Sequence, residues 1–141
     1  MSPDTKTIVR FDDHAPITVG TIHSTDILDG ANVSQFGSEV ITYIGTHAGI
    51  HLLLDFGGVK YMSSAGLTEL LRINESLKKD AGSVRLCGLT KNIRKVFTIT
   101  NLEQLFVIHD DDSVDAATKR FERSLAVAAE EDAWAHPEPG N

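Results

Sequence analysis

The spacing of apolar residues changes several times along the chain, and the first two apolar segments show the pattern of β-strands. Residues 7–11, "TIVRF", are rich in β-branched and aromatic side chains, and "DDHAP" then interrupts them with polar residues and Pro16. In residues 17–22, "ITVGTI", every second side chain from Ile17 onward faces the same way if the segment is extended. Two strands separated by a tight turn predict an opening β-hairpin. The polar segment 23–32, "HSTDILDGAN", is then interpreted as a loop.

Three later apolar runs predict further strands. Residues 49–56, "GIHLLLDF", are apolar at nearly every position, which is typical of a central strand covered on both faces. Residues 83–89, "SVRLCGL", and residues 105–109, "LFVIH", predict a fourth and a fifth strand. Between the third and fourth strands, "GGVKYM" at 57–62 is interpreted as a loop.

Between these strands, apolar residues recur three or four positions apart, which is the spacing of amphipathic helices. The first helix is predicted from about Ala31, and the second ends at "KKDAG", where Gly82 suits a C-terminal stop. Thr90 and Ser113 are the expected N-caps of the third and fourth helices. The four apolar stripes are Val33, Phe36, Val40, Ile41 and Ile44; Leu67, Leu70, Leu71 and Leu77; Ile93, Val96 and Phe97; and Val114, Ala117, Phe121 and Leu125.

The predicted element order is β-β-α-β-α-β-α-β-α, and its alternation after an opening hairpin indicates a single α/β domain with a mixed sheet of about five strands. We assign residues 7–129 to this domain and residues 1–6 to an N-terminal extension. Residues 130–141, "EEDAWAHPEPGN", are charged and rich in proline, so we expect a flexible tail.

The overall charge and the cysteine content narrow the classes of function. A net charge of −7 disfavours nucleic acids and anionic membrane surfaces as partners, because both require clustered Lys and Arg. One cysteine, Cys87, leaves no internal disulfide and favours a reducing compartment. The chain has no apolar run long enough to span a bilayer, and residues 1–10 contain no apolar segment of the kind expected in a secretory signal. We therefore expect a cytoplasmic protein.

The main candidate for function is the Ser63–Ser64 pair in "LLLDFGGVKYMSSAGLTELL" at 52–71, where a buried strand gives way to a helix. A serine here usually caps the helix by accepting a hydrogen bond from a backbone N–H, worth about 1 kcal/mol. Two features disagree with that simple role. One cap needs only one serine, and Gly66 lowers the helix propensity of the first turn by about 1 kcal/mol relative to Ala. At an exposed helix start, the missing side chain of Gly66 would allow another protein to approach the backbone closely.

Enzyme and nucleotide-binding interpretations of this turn find little support. A nucleophile elbow requires G-x-S-x-G, and Met62 stands where the first glycine should be. The glycines and lysine of 57–66 satisfy neither the P-loop pattern nor G-x-G-x-x-G. A helix N-terminus does favour a covalently attached phosphate, because phosphorylation of Ser64 adds a charge of about −1.5 to −2 where the helix dipole is positive. The phosphate would exclude a docked partner without a large conformational change.

The segment 52–71 resembles the signature of the STAS domain of bacterial anti-sigma factor antagonists, in which an apolar strand, Asp and a short loop precede [DS]-S-[STA]-G-L. The resemblance extends over about residues 7–127, including "VRLCGLTKNIRKVFTITNLEQLFVIHDDDSVDAA" at 84–117. It implies a mixed sheet with helices packed mainly on one face, and no catalytic activity. It also implies two partners, an anti-sigma factor that is a serine kinase and is bound by the unphosphorylated domain, and a phosphatase that resets it.

By this resemblance Ser64 is the phosphoacceptor and Ser63 the second choice. Some members carry the acceptor directly before the glycine, where this chain has Ala65, so a domain that is never phosphorylated stays open. The expected partner-binding residues are Asp29, Met62, Ser63, Ser64, Ala65 and Gly66. Asp29 is included because "ILDGAN" resembles a family loop on the same rim as the serine.

Other polar groups are expected to have structural roles. The sequence "HDDDS" at 109–113 places acids before a helix rather than forming a metal site. The change from helix to strand at Gly49 separates His47 from His51, and Cys87 suits a small core position. Asp55 is expected to stabilise the turn after the central strand. We predict no metal and no cofactor.

Three functions therefore stay open: a phosphorylated anti-sigma factor antagonist, a STAS-like scaffold that meets no kinase, and a small α/β enzyme or ligand-binding module. A deep pocket beside Ser64 lined by His and carboxylates would favour the third. A shallow, exposed rim would favour the first two. The sequence leaves the oligomeric state undetermined.

Overall fold

A five-stranded mixed β-sheet forms the centre of the protein in a computed structural model that describes residues 7–110 and 113–135. The strands are β1 (Val9–His14), β2 (Ile17–Ile22), β3 (Ile27–Leu28), β4 (His51–Asp55), β5 (Tyr61–Met62), β6 (Ser83–Cys87) and β7 (Val107–His109). The helices are α1 (Gly30–Thr46), α2 (Ser64–Lys78), α3 (Lys91–Ile99), a short 3-10 helix (Leu102–Gln104) and α4 (Val114–Ala135).

The sheet has the strand order β1-β2-β4-β6-β7. β1 and β2 form the predicted antiparallel hairpin, in which Val9 lies opposite Ile22. β2, β4, β6 and β7 run parallel, because a helix carries the chain back before each new strand is added. The predicted α/β class, the mixed sheet and its five strands are confirmed.

A second, two-stranded parallel sheet differs from the prediction. β3 and β5 pair with each other, with Ile27 opposite Tyr61 and Leu28 opposite Met62. Both strands lie in segments that the sequence predicted to be loops, and the observed order is β-β-β-α-β-β-α-β-α-β-α. Two residues are too few to show a period of two, so only the tertiary pairing reveals these strands.

Apolar side chains form one large core and one small core on opposite faces of the main sheet. Leu52 and Leu54 of β4 belong to the large core, together with the apolar stripes of α1, α2 and α3. Leu53 points to the other face, where the small core contains Ala117 and Phe121 of α4. All three leucines are fully buried, as predicted for a central strand covered on both faces. The helices therefore pack mainly on one face, with α4 on the other.

Local hydrogen bonds explain where the helices begin and end. The Oγ1 of Thr90 accepts from the backbone N–H of Ile93 at 3.3 Å, and the Oγ of Ser113 accepts from that of Ala116 at 3.1 Å. Both predicted N-caps are confirmed. After α2, the left-handed residue is Ala81 (φ 61°) rather than Gly82, and the N–H of Gly82 donates to the carbonyl of Leu77 at 2.8 Å. Gly82 is required there because a Cβ would overlap the carbonyl oxygen of Ile50.

The C-terminal helix is longer than the sequence suggested. α4 continues to Ala135, so residues 130–135 of the predicted tail are helical, while residues 1–6 and 136–141 lie outside the described residues. In the described ranges, no helix combines the length and apolar character needed to cross a membrane.

Candidate functional site

The segment between β4 and α2 is held in place by buried side chains and a carboxylate. Phe56 and Val59 are fully buried, and the N–H of Val59 donates to the carbonyl of Phe56 at 2.9 Å. The Oδ1 of Asp55 accepts from the N–H of Gly57 at 2.9 Å, which confirms the predicted role of Asp55 in this turn. The loop that leads to α2 is therefore anchored to the core by two buried side chains and two hydrogen bonds.

The β3–β5 pair brings two distant parts of the sequence together at the start of α2. The N–H of Ser63 donates to the carbonyl of Leu28 at 2.9 Å, and Leu28 lies opposite Met62. Asp29 follows Leu28 directly, so Asp29 and Ser63 leave the two paired strands side by side. Asp29 therefore lies on the same rim as the serines, as the sequence predicted.

The two serines differ in exposure. Ser63 has the extended backbone of an N-cap, but its side chain makes no capping hydrogen bond, and its Oγ is buried without a partner among the described residues. Ser64 is the first residue of α2 and is exposed. The expected capping role of a serine side chain is thus absent at α2. The hydroxyl that another protein can reach is that of Ser64.

The interpretation of Gly66 as bare, approachable backbone is wrong. Gly66 is buried, and a Cβ built there would overlap the Cγ of Met62 and lie 2.6 Å from its Sδ. Met62 is itself buried and belongs to the large core. The glycine therefore makes room for a core side chain under the first turn of α2, while the direct contacts of a partner at this rim would fall on the exposed Asp29, Ser64 and Ala65.

Two exposed apolar residues beside the serines were missed by the sequence analysis. Ile27 and Tyr61 are register partners in the β3–β5 pair and are 41% and 55% exposed. They form an apolar surface next to the rim that carries Asp29 and Ser64. No local pattern could have revealed this pair, because both residues lie in segments that were predicted to be loops.

The helix ends give the rim its electrostatic character. α1 begins at Gly30, directly after Asp29, and α2 begins at Ser64, so two helix N-termini start from neighbouring strands. Each N-terminus carries a partial positive charge and unpaired N–H groups. The N-cap Asp29 is exposed and makes no side-chain capping hydrogen bond. Its carboxylate is available to a cationic group of a partner.

Other candidate groups have structural surroundings. His47 stacks on Tyr43 at 3.9 Å between ring centroids, whereas the Nδ1 of His51 lies 2.8 Å from the Oγ of Ser83. The two histidines do not converge. Cys87 is fully buried in the small core, as predicted. Within residues 7–110 and 113–135, no group of three or more His, Cys, Asp or Glu is arranged to hold a metal, and two residues of "HDDDS" lie outside these ranges.

Ser64 lies on an exposed part of the surface. Five surface clefts of about 260–510 Å³ are lined by described residues, and neither Ser63 nor Ser64 lines any of these five. The geometry resembles the exposed rim expected of an interaction site rather than the deep pocket expected of an enzyme.

The chain is similar to known proteins in both sequence and fold. The STAS domain family matches residues 11–117. A candidate anti-sigma factor antagonist of Bordetella bronchiseptica, BtrV, is 29% identical over 99 residues, which are 70% of this chain and 83% of that protein.

Two solved structures share the fold. A STAS domain protein of Planctomyces limnophilus, titled an anti-sigma-factor antagonist, superposes with a TM-score of 0.73 at 19% identity, covering 83% of this chain and 99% of that one. The Bacillus cell fate determinant SpoIIAA, in its phosphorylated form, superposes with a TM-score of 0.62 at 22% identity, covering 79% and 97%. These likenesses show the fold, and the family match over residues 11–117, most of the chain, shows that the chain belongs to the STAS domain family.

Proposed function

We propose that this protein is an anti-sigma factor antagonist that works by partner switching. In the unphosphorylated state it binds an anti-sigma factor that is a serine kinase. Phosphorylation of Ser64 ends this interaction, and a phosphatase restores it. The domain itself has no catalytic activity in this scheme.

The observation that carries the proposal is the exposed hydroxyl of Ser64 at the first position of α2. Within the described part of the chain, no group hydrogen-bonds this hydroxyl. A kinase could therefore phosphorylate it without first opening the fold. Ser63, the second choice, is a poor acceptor, because its Oγ is buried.

The neighbouring surface supports a protein partner. Ile27 and Tyr61 offer exposed apolar area, and exposed aromatic side chains are frequent anchors in protein–protein interfaces. Asp29 adds an exposed carboxylate on the same rim. A partner that covers the apolar pair and Asp29 would also cover Ser64.

The expected effect of phosphate follows from its charge and size. The group adds a charge of about −1.5 to −2 and three strongly hydrated oxygens. The domain tolerates it, because it lies where the helix dipole is positive. A docked partner would have to displace the water around the phosphate, which costs free energy.

The comparisons support the same proposal. BtrV and the Planctomyces limnophilus protein are named as anti-sigma factor antagonists, and SpoIIAA has been solved in a phosphorylated form. An anti-sigma factor is accordingly the partner that we assign to this chain.

A capture experiment with four baits tests the proposal. Wild-type protein, Ser64→Ala, Ser64→Asp and the control Ser38→Asp are used to capture proteins from lysate of the source cells. Ser38 is exposed in the middle of α1, away from the rim. We expect wild type, Ser64→Ala and Ser38→Asp to retain a protein that contains a serine kinase domain, and Ser64→Asp to lose most of it.

The captured kinase is then incubated with ATP and each variant, and the modified residue is identified by mass spectrometry. Phosphate on Ser64 of the wild type, and none on Ser64→Ala, is the expected result. Capture of a kinase that leaves all serines unmodified would contradict phosphorylation and favour the non-phosphorylated scaffold. Equal capture by Ser64→Asp would contradict the switch.

A further inference from the structure

A second site lies at the other end of α2, away from Ser64. A cleft of about 350 Å³ lies between the last turns of α2, the start of β6, β7 and α4. Lys78, the last residue of α2, lines this cleft. Ser64 is the first residue of the same helix and is 14 positions away, a distance of about 21 Å along the helix axis. The cleft is therefore independent of the proposed switch.

Arg85 is the notable polar group of this cleft. Its Nη2 donates to the Oγ of Ser124 at 2.7 Å, its Cζ lies 4.6 Å from the centre of the Phe121 ring, and its Nη1 lies 3.5 Å from the Nε2 of His109. Burial lowers the pKa of Arg85. The guanidinium is thus held in one place by Ser124 and Phe121 while part of its hydration is removed.

Arg85 differs from three other arginines of this chain in the groups that contact it. Arg10, Arg72 and Arg94 each form an ion pair with a nearby carboxylate. Among the residues that the structure describes, no Asp or Glu pairs with Arg85. A partly buried guanidinium with five N–H donors and no carboxylate partner among the described residues retains the capacity to bind an anion.

The rest of the cleft combines a second positive charge with apolar walls. None of the twelve residues that line it is acidic, and Lys78 adds a second positive charge at its edge. Leu105 and Val107 are 53% and 50% exposed, which is unusual for large aliphatic side chains. The apolar walls are formed by Val84, Leu105, Val107, Phe121, Leu125 and Ala128.

We propose that this cleft binds a small organic anion, a carboxylate carried on a short aliphatic chain, with the carboxylate on Arg85 and the chain against the apolar wall. The volume lies at the small end of the range for ligand pockets, about 300–1,000 Å³, and fits a small molecule better than a folded partner. The carboxylate accepts from the free N–H groups of Arg85, while the chain covers Leu105 and Val107.

The test uses octanoate as the probe and follows backbone amide resonances of the full chain by NMR. We expect saturable shifts that are largest at Ser83, Arg85 and Val107, and small at Ser64. Octanol, which lacks the charge, and acetate, which lacks the chain, should each bind at least tenfold more weakly, because each loses one half of the recognition.

Three variants assign the binding to this cleft. Arg85→Met keeps a long side chain but removes the charge, and should weaken octanoate binding tenfold or more. Val107→Glu places a carboxylate on an exposed position of the wall and should abolish binding without disturbing the core. Arg72→Met, which removes an exposed arginine that pairs with Glu69, is the matched control and should bind like wild type.

The proposal is overturned if octanoate produces no saturable shift, if octanol binds as tightly, or if Val107→Glu binds like wild type. If Arg85→Met does not fold, Val107→Glu and the octanol comparison decide the question. Each of these results leaves phosphorylation of Ser64 unaffected, so the two proposals fail separately.

Discussion

The two faces of the main sheet are packed in different ways. Beneath α1, α2 and α3, the large core is aliphatic and aromatic and continues into the loop before Ser64. Beneath α4, the small core centres on six buried residues, and Arg85, His51 and Ser124 lie around it with polar contacts of their own. One face therefore has an extended apolar core, and the other has a small apolar core surrounded by polar groups.

The large core gives the candidate switch its rigidity. Phe56, Val59 and Met62 belong to it, so the loop and the first turn of α2 are anchored on one side and exposed on the other. The cleft beside Arg85 is bordered by residues of both α2 and α4 and is open to solvent along the β7 edge of the sheet. The exposed hydroxyl of Ser64 therefore lies at the start of a helix anchored in the large core, whereas the cleft lies at the sheet edge next to the small core.

The largest expected effect compares one phenylalanine from each face. Phe36→Ala in the large core should lower the free energy of unfolding by about 3–5 kcal/mol, because Phe36 is fully buried and packs edge-to-face on Phe56. Phe121→Ala in the small core should cost about 2–3 kcal/mol, since water from the neighbouring cleft can enter the space. Urea unfolding followed by circular dichroism measures both values. Equal costs would contradict the difference between the two faces.

Substitution of two helical glycines tests whether Gly66 is needed to accommodate Met62. Gly66→Ala should destabilise the protein by about 1–2 kcal/mol, because the strain of displacing Met62 exceeds the gain in helix propensity. Gly45→Ala in α1 should stabilise it by about 0.5–1 kcal/mol, since a Cβ there has no neighbour within 4 Å. Thermal unfolding of both variants is the measurement. A stabilising Gly66→Ala would mean that Met62 does not depend on the missing side chain.

The α4 face should also give the stability a dependence on pH. Burial lowers the pKa of His51 below its ordinary value of 6.5, so the unfolded chain binds a proton more readily than the folded one. The free energy of unfolding is therefore highest above about pH 6.5, where His51 is neutral in both states. It decreases as the pH falls from 6.5 toward the pKa of His51 in the folded state, because protonation then favours the unfolded chain. Urea midpoints at pH 7.5 and 5.5 should differ more for wild type than for His51→Gln. The same difference in both proteins would refute the role of His51.

The smallest expected effect is the change in stability when the proposed phosphoacceptor Ser64 is replaced. Ser64→Ala should change the free energy of unfolding by less than about 0.5 kcal/mol, because the exposed hydroxyl makes no hydrogen bond among the described residues. Ser113→Ala, the matched control on α4, should cost about 1 kcal/mol, because its Oγ caps the helix. Thermal unfolding distinguishes the two. A cost at Ser64 equal to that at Ser113 would mean that Ser64 is a structural cap.

Much of the fold could be predicted because its signals are local. The apolar run around Leu53, the stripes of α1 to α4 and the caps Thr90 and Ser113 each depend on neighbours within a few positions. The site was predicted only in part. The motif predicted Ser64 as the candidate phosphoacceptor, whereas the exposed pair Ile27 and Tyr61 depends on strands of two residues that pair across the fold.

The sequence by itself determined the α/β class, the five main strands, the helical stripes and the serine motif at 63–64. These features depend on hydrophobic periodicity and turn residues, which involve positions close together in the chain. Only the tertiary structure decided which of the two serines is exposed, that Gly66 accommodates Met62, and that Arg85 stands in a cleft without a carboxylate partner among the described residues. Burial and charge pairing depend on side chains that are distant in sequence. Packing, and not local pattern, determines them.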